Sequence, residues 1–166
     1  MKCTKLFTNV GKGDGKGTGQ KLSQLIEAAN EVSGLERIRY VTSHPRDLGE
    51  DLIAQFGTVE KLCPALHLPF QAGSNRILKA MSRLYTQELY LSKIELLRKA
   101  RPDIALSTDV IVGFPGETEE DFEQTLKVLR EVKFSSAFMF KYSPRPGTKA
   151  AELGEEIPES VKEERL

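Results

Sequence analysis

The chain has no tryptophan, only two cysteines, no excess of either charge and no apolar run long enough to cross a membrane. Each shortage removes a class of function. With 24 basic residues against 24 acidic ones, no net field draws the chain to a polyanion or a lipid surface, so strong nonspecific RNA binding is not expected. With neither a spanning run nor a signal-peptide pattern, the reading is a soluble, cytoplasmic protein without a membrane partner. Cys3 and Cys63 stand too far apart in sequence for a metal-binding pair, and in a cytosolic protein two such thiols stay free. Cys63 is expected as a small buried hydrophobe near a strand start. A chain of 166 residues holds one domain with a real core, and two complete domains would be a squeeze.

Residues 1–19 read as a flexible glycine-rich segment, set apart from a domain over 20–166. Glycines alternate with charged residues from Gly11 to Gly19, and glycine is costly to order and contributes no packing. A phosphate loop is the sharper reading, but the spacing does not match the Walker pattern. From Gln20 the periodicity turns helical, with Leu22, Leu25, Ile26, Ala29 and Val32 on one face and Gly34 as the stop. Arg37–Thr42 reads as a strand, and Asp47–Phe56 as a helix with Leu52, Ile53 and Phe56 inward. Ala65–Phe70 is a second strand, followed by helical segments at 74–82 and 86–101. Thr86 is placed as an N-cap and Pro102 just past the end. Ile104–Val112 is a third strand. Its downstream helix opens at Thr118, with Asp121 completing an acidic capping box and Phe122, Leu126 and Leu129 as the buried stripe. Ser135–Tyr142 is a fourth strand, and the charged C-terminal stretch begins another helix.

Strand and helix alternate four times, which implies an α/β fold of parallel strands with right-handed crossovers. Val110, Ile111 and Val112 are all apolar, as expected for a strand covered on both faces. Four such units make half of a TIM-like (β/α)8 barrel or a small open sheet, and either gathers its functional residues at the C-terminal strand ends. Those ends carry Thr42–Arg46, His67–Asn75, Asp109–Thr118 and Tyr142–Thr148. The rim so formed presents hydroxyls, amides, a carboxylate and guanidinium groups around glycine-freed backbone, a mixture that suits a ribose with a charged tail. Each piece has a plainer reading. The run at 113–118 can be a tight turn into a capped helix, and His44 an ordinary loop histidine. His67 can be a core histidine bonded to a carbonyl. Asp109, a charge inside an apolar strand, needs a partner either way.

Two runs carry a resemblance: His67 to Asn75 with Leu78, Met81 and Arg83 downstream, and Asp109 to Phe122. Both resemble the core of the radical S-adenosylmethionine methylthiotransferases. Thr42 to Pro45 and Tyr142 to Thr148 resemble the branch that methylthiolates N6-isopentenyladenosine beside the tRNA anticodon. The branch that modifies a ribosomal protein differs at the first of these loops. The resemblance covers about residues 34–166. It implies a partial TIM-like barrel that binds S-adenosylmethionine, with a [4Fe-4S] cluster in the full-length parent, acting on tRNA. There one electron cleaves the sulfonium, the resulting deoxyadenosyl radical abstracts hydrogen from C2 of the adenine, and sulfur carrying a methyl group is then inserted. By the same resemblance Gln71 and Asp109 bond the ribose hydroxyls, and Arg83 pairs with the methionyl carboxylate. Ile111 to Gly113 pack beside the adenine, and Ser74 joins the cofactor site. His44 and Arg145 face the substrate.

The sequence departs from that pattern in two ways. Ala72 stands where the family usually has serine, and no Cys-x3-Cys-x2-Cys cluster motif is present. The expectation is therefore a piece of the barrel that keeps the orienting residues, has no catalytic residue of its own and is inactive alone. The family's N-terminal auxiliary-cluster domain and its C-terminal RNA-binding domain are missing from the pattern too. Two other classes stay open. One is a cluster-free nucleotide- or partner-binding module. The other is a phosphate-binding enzyme using the 113–118 turn, which Glu117 opposes with its charge. Half a barrel exposes strand edges, so a homodimer or segment-swapped oligomer is expected.

Overall fold

A computed structural model describes residues 21–41, 44–154 and 156–166. The glycine-rich segment, Cys3 and the pair Thr42 and Ser43 lie outside the described residues. In chain order the elements are α1 (Leu22–Asn30), a 3-10 turn (Pro45–Asp47), α2 (Glu50–Thr58), β1 (Ala65–His67), α3 (Asn75–Ala80), α4 (Gln87–Ala100), β2 (Ala105–Val112), α5 (Glu119–Val132), β3 (Ser136–Lys141), a second 3-10 turn (Lys149–Glu152) and α6 (Glu159–Arg165). The sheet runs β1-β2-β3, all parallel, with His67 opposite Ser107 and Asp109 opposite Phe138.

β2 settles the layering. Leu106, Thr108, Val110 and Val112 are buried, while Ser107, Asp109 and Ile111 on the other face are partly open. The buried face joins Ile77 and Leu78 of α3, Tyr90, Ile94 and Leu97 of α4 and Val128 of α5 in one core. The expectation of a strand covered on both faces is thus corrected. Helices cover one face only, as in the wall of a barrel rather than a doubly wound sheet, and the residues on the other face are those a barrel turns inward.

The strand expected at Arg37–Thr42 is cut down to one parallel bridge, Ile38 opposite Leu62. Cys63 N–H donates to Ile38 O and His67 N–H to Val41 O, but the rung between them is lost because Ala65 N–H turns back to Cys63 O around Pro64. A proline in the partner segment cannot donate, and the ladder skips. Cys63 is free, sits two residues before β1 and is half-buried rather than buried. The helix expected from Asp47 divides at Leu48 and Gly49, where Lys93 Nζ holds the Leu48 carbonyl and Gly49 becomes the N-cap of α2. Leu52, Ile53 and Phe56 are buried as expected. Thr86 and Thr118 both cap their helices, and Thr118 shares a capping box with Asp121.

On α5 the deepest line is Asp121, Thr125, Val128 and Val132, one position round from the expected stripe, with Phe122, Leu126 and Leu129 half-buried. The cause is the close pass of the 71–74 loop. A Cβ on Gly73 would come within 2.6 Å of Thr125 Cα, and Gly73 N–H donates to Thr125 Oγ1 at 2.9 Å. Only small or hydrogen-bonding residues fit that seam.

Candidate functional site

Segment 68–70 leaves β1 with its carbonyls claimed by side chains. Tyr90 Oη donates to Leu68 O (2.8 Å), Thr108 Oγ1 to Leu68 O (3.0 Å) and Tyr85 Oη to Phe70 O (2.9 Å). These bonds deliver Gln71 to the sheet, where it forms a single parallel bridge to Val110. Gln71 N–H donates to Asp109 O and its carbonyl accepts from Ile111 N–H, both at 2.9 Å. It does so at φ +67°, a left-handed conformation that costs a non-glycine residue about 1–2 kcal/mol. Its side-chain amide makes no hydrogen bond among the described residues. The left-handed backbone and the free amide set Gln71 apart from the residues around it.

Asp109 finds its partner in His67. His67 Nε2 stands 3.4 Å from Asp109 Oδ2 and its Nδ1 3.0 Å from Ser107 Oγ, with the ring edge-on to Phe138. The histidine therefore meets a hydroxyl and a carboxylate, not a carbonyl. The signal was in the strand period, because His67, Ser107 and Asp109 share the face left open by the helices.

Arg83 follows the left-handed turn at Ser82, and its N–H is anchored to Leu78 O at 2.8 Å. His44 is close enough for the two to interact electrostatically and packs edge-on against Tyr85 at 5.2 Å. Burial lowers the His44 pKa; Asp47 opposes that, and Arg83 and Arg46 add to it. Burial pushes Tyr85 up to about 12, against the pull of Arg83. Arg83, Ile111, Phe114, Tyr142 and Lys149 line one recess of about 330 Å³ at the strand ends. A larger hollow of about 600 Å³ lies between α4 and α5, away from the strand ends, and holds none of the rim residues.

Three expected residues sit elsewhere. Ser74 is 2% exposed and caps α3, with its hydroxyl donating to Asp121 and accepting from Ile77 N–H. Gly113 is buried at φ +69°, and the atom its missing Cβ leaves room for is Lys162 Cγ of α6. Its N–H donates to Glu117 Oε2 at 2.8 Å, which in turn pairs with Arg165 Nη1 at 2.8 Å. The 113–118 turn is thus closed by a buried ion pair. Arg145 is exposed, and its side chain makes no hydrogen bond or ion pair among the described residues. Nothing in the sequence singles out Tyr142 or Lys149 from their loop neighbours; only the recess does.

Among the described residues no three histidine, cysteine or acidic side chains gather as a metal ion would require, and the sequence has no three-cysteine motif. These residues do not fit an iron–sulfur cluster. They do fit part of a nucleoside cofactor: a free amide, a carboxylate and an unpaired guanidinium around partly open apolar surface.

The chain is 58% identical over 144 residues to the tRNA-2-methylthio-N(6)-dimethylallyladenosine synthase of Aquifex aeolicus, covering 87% of the chain and 33% of that protein. It is 55% identical to the synthase of the same name from Trichlorobacter lovleyi, over 97% of the chain and 37% of that protein. The chain therefore spans about a third of the length of the curated relatives it matches. Among solved structures, coproporphyrinogen III oxidase from Escherichia coli, a radical SAM enzyme, aligns with a TM-score of 0.64 at 19% identity, over 78% of this chain and 30% of that one. The methyltransferase TsrM from Kitasatospora setae aligns with a TM-score of 0.59 at 15% identity, over 72% and 24%. Both show the fold alone, a partial TIM-like barrel. The signature of the Radical SAM superfamily matches residues 13–129, more than half the sequence, and the chain belongs to that superfamily.

Proposed function

We propose that this chain is the cofactor-orienting part of a tRNA methylthiotransferase that adds a methylthio group to C2 of N6-isopentenyladenosine beside the anticodon. The observation that carries the reading is the 58% identity to the Aquifex aeolicus synthase over 87% of the chain. Membership of the superfamily brings S-adenosylmethionine as cofactor and a [4Fe-4S] cluster with it. Bound S-adenosylmethionine supplies the radical chemistry. The residues here bind and orient. Gln71 accepts from or donates to a ribose hydroxyl and Asp109 accepts from one, with His67 holding the Asp109 carboxylate in place. Arg83 takes the methionyl carboxylate, and Ile111 packs beside the adenine. Gly113 shapes the turn through Glu117 and Lys162 rather than by direct approach, and Ser74 acts through the α3 cap. His44 and Arg145 face the tRNA. No step is assigned to the cluster, whose ligands are not among these residues, and no catalytic residue is assigned in this chain. The working place is the cytoplasm; no helix among the described residues is long and apolar enough to cross a membrane.

The test is calorimetric titration of S-adenosylmethionine into the purified chain and its Asp109→Asn and Arg83→Ala variants. Losing a hydrogen bond to a charged group costs about 1.5–3 kcal/mol, so each variant binds roughly tenfold or more weakly. Equal affinity in all three proteins sinks the assignment. The outer edge of β3 is unpaired among the described residues, and Phe138 and Phe140 are 55% and 52% exposed. The chain by itself therefore self-associates, as a homodimer or a segment-swapped oligomer, and concentration-independent sedimentation as a monomer refutes that.

A further inference from the structure

We infer that Phe138 and Phe140 form an apolar shelf that seats the isopentenyl-bearing base of the substrate and sets the preference for it over unmodified adenine. Both rings are more than half exposed, whereas every other phenylalanine and tyrosine among the described residues is buried or half-buried. The strand period explains why. Met139, between them, packs against the core on the helix-covered face, so residues 138 and 140 point to the open one. Aromatic rings left in water at two successive positions of one strand face are apolar surface that a ligand can cover.

The register decides what reaches the shelf. Phe138 lies opposite Asp109 and Phe140 opposite Ile111. Neighbouring strands stand about 4.8 Å apart, so both rings border the residues assigned to the cofactor's ribose and adenine. His67 ties the arrangement together: its Nε2 stands 3.4 Å from Asp109 Oδ2, and its ring is edge-on to Phe138 at 6.1 Å. Phe140 makes no ring contact among the described residues. A base that must lie beside that ribose to react also lies beside the shelf. Successive side chains on one strand face are about 7 Å apart, so one ring stacks on the purine and the other meets the branched tail on N6. Stacking alone accepts any purine, and the tail contact is what discriminates. Neither ring carries a titratable or nucleophilic atom, so the pair selects the substrate and takes no part in the chemistry. The shelf stands on exposure and register; the identity of the base rests on the methylthiotransferase reading.

The test titrates N6-isopentenyladenosine and adenosine separately into the full chain, isotope-labelled at phenylalanine, and follows the Phe138 and Phe140 ring resonances. Saturable shifts of both rings are expected. The isopentenyl nucleoside binds about tenfold or more tightly than adenosine, since even one methylene in an apolar contact is worth about that factor. Phe138→Ala and Phe140→Ala, both at exposed positions that leave the core intact, each bring the two affinities to within about threefold. Leu96→Ala, at an exposed apolar position of α4, keeps the full preference. No shift with either nucleoside, equal affinities in the unaltered chain, or a preference that survives both phenylalanine variants overturns the shelf. Rings that respond to protein concentration and not to nucleoside also overturn it, by giving the pair to a contact between copies. So does loss of nucleoside binding at saturating S-adenosylmethionine, which gives the pair to the cofactor's adenine. The two readings fail separately. A chain that binds S-adenosylmethionine through Asp109 but shows no preference overturns the shelf alone. A chain that shows the preference but binds no S-adenosylmethionine keeps the shelf and counts against the methylthiotransferase reading instead.

Discussion

Replacing Arg165 with methionine keeps an unbranched apolar stem and removes the guanidinium that closes the 113–118 turn. Glu117 is then left with a side chain 1% exposed and only the Gly113 N–H to hold its charge. Stripping one partner from a buried pair costs about 3–5 kcal/mol, and the lost stacking over the Phe122 ring, whose centroid is 5.2 Å from the guanidinium carbon, adds about 0.5–1. Small domains hold only about 5–15 kcal/mol in all, so the variant is badly weakened. The loss depends on pH. Burial already raises the Glu117 pKa, against the pull of the Gly113 N–H and Arg165, and without Arg165 it rises further. A carboxyl whose folded pKa is raised binds more protons folded than unfolded, so its contribution falls as pH rises through that window. Urea denaturation at pH 8 and pH 5.5 should therefore find the larger loss at pH 8, with much of it recovered at pH 5.5. The double variant Glu117→Gln with Arg165→Met should cost less than the two singles added together, because no unpaired charge is left behind. An equal loss at both pH values, together with strict additivity, would refute the claim that charge burial closes this turn.

Gly73→Ala should cost several kcal/mol of stability by denaturant titration, because the new Cβ meets the backbone of Gln124 and Thr125, which cannot yield without moving α5. The Asp121 pKa tells the opposite story from Glu117. Burial raises it, but bonds from Arg76, Ser74 and Thr118 outweigh that and hold the carboxyl well below the usual range. Its contribution is present above the ordinary aspartate pKa and is lost as pH falls below it, so Asp121→Asn should flatten the acid limb of the stability profile. Lys133 ends α5 at φ +51°, and Lys133→Gly should stabilise the chain by about 0.5–1 kcal/mol, raising Tm by a few degrees in a thermal melt.

Local features were legible because their partners lie within a turn of the chain. Thr118 and Asp121 cap each other three residues apart, and Thr86 reaches Leu89 N–H, so residue type and spacing suffice. The α/β alternation, the three paired strands and the rim loops at their ends are likewise written in periodicity and turn residues. Misreadings arose where a distant partner decided the outcome. Whether Arg37–Thr42 became a strand depended on Pro64 across the gap. The stripe that α5 buries was chosen by Gly73, and the Ser74 hydroxyl was claimed by Asp121, both far along the chain. The free Gln71 amide, the His67 and Asp109 contact and the recess of Arg83, Tyr142 and Lys149 each join segments that only the closed sheet brings together. Short-range hydrogen bonds and hydrophobic period set the elements by themselves. Which side chains remain unsatisfied enough to bind something is settled only when every other donor, acceptor and charge has found its partner in three dimensions.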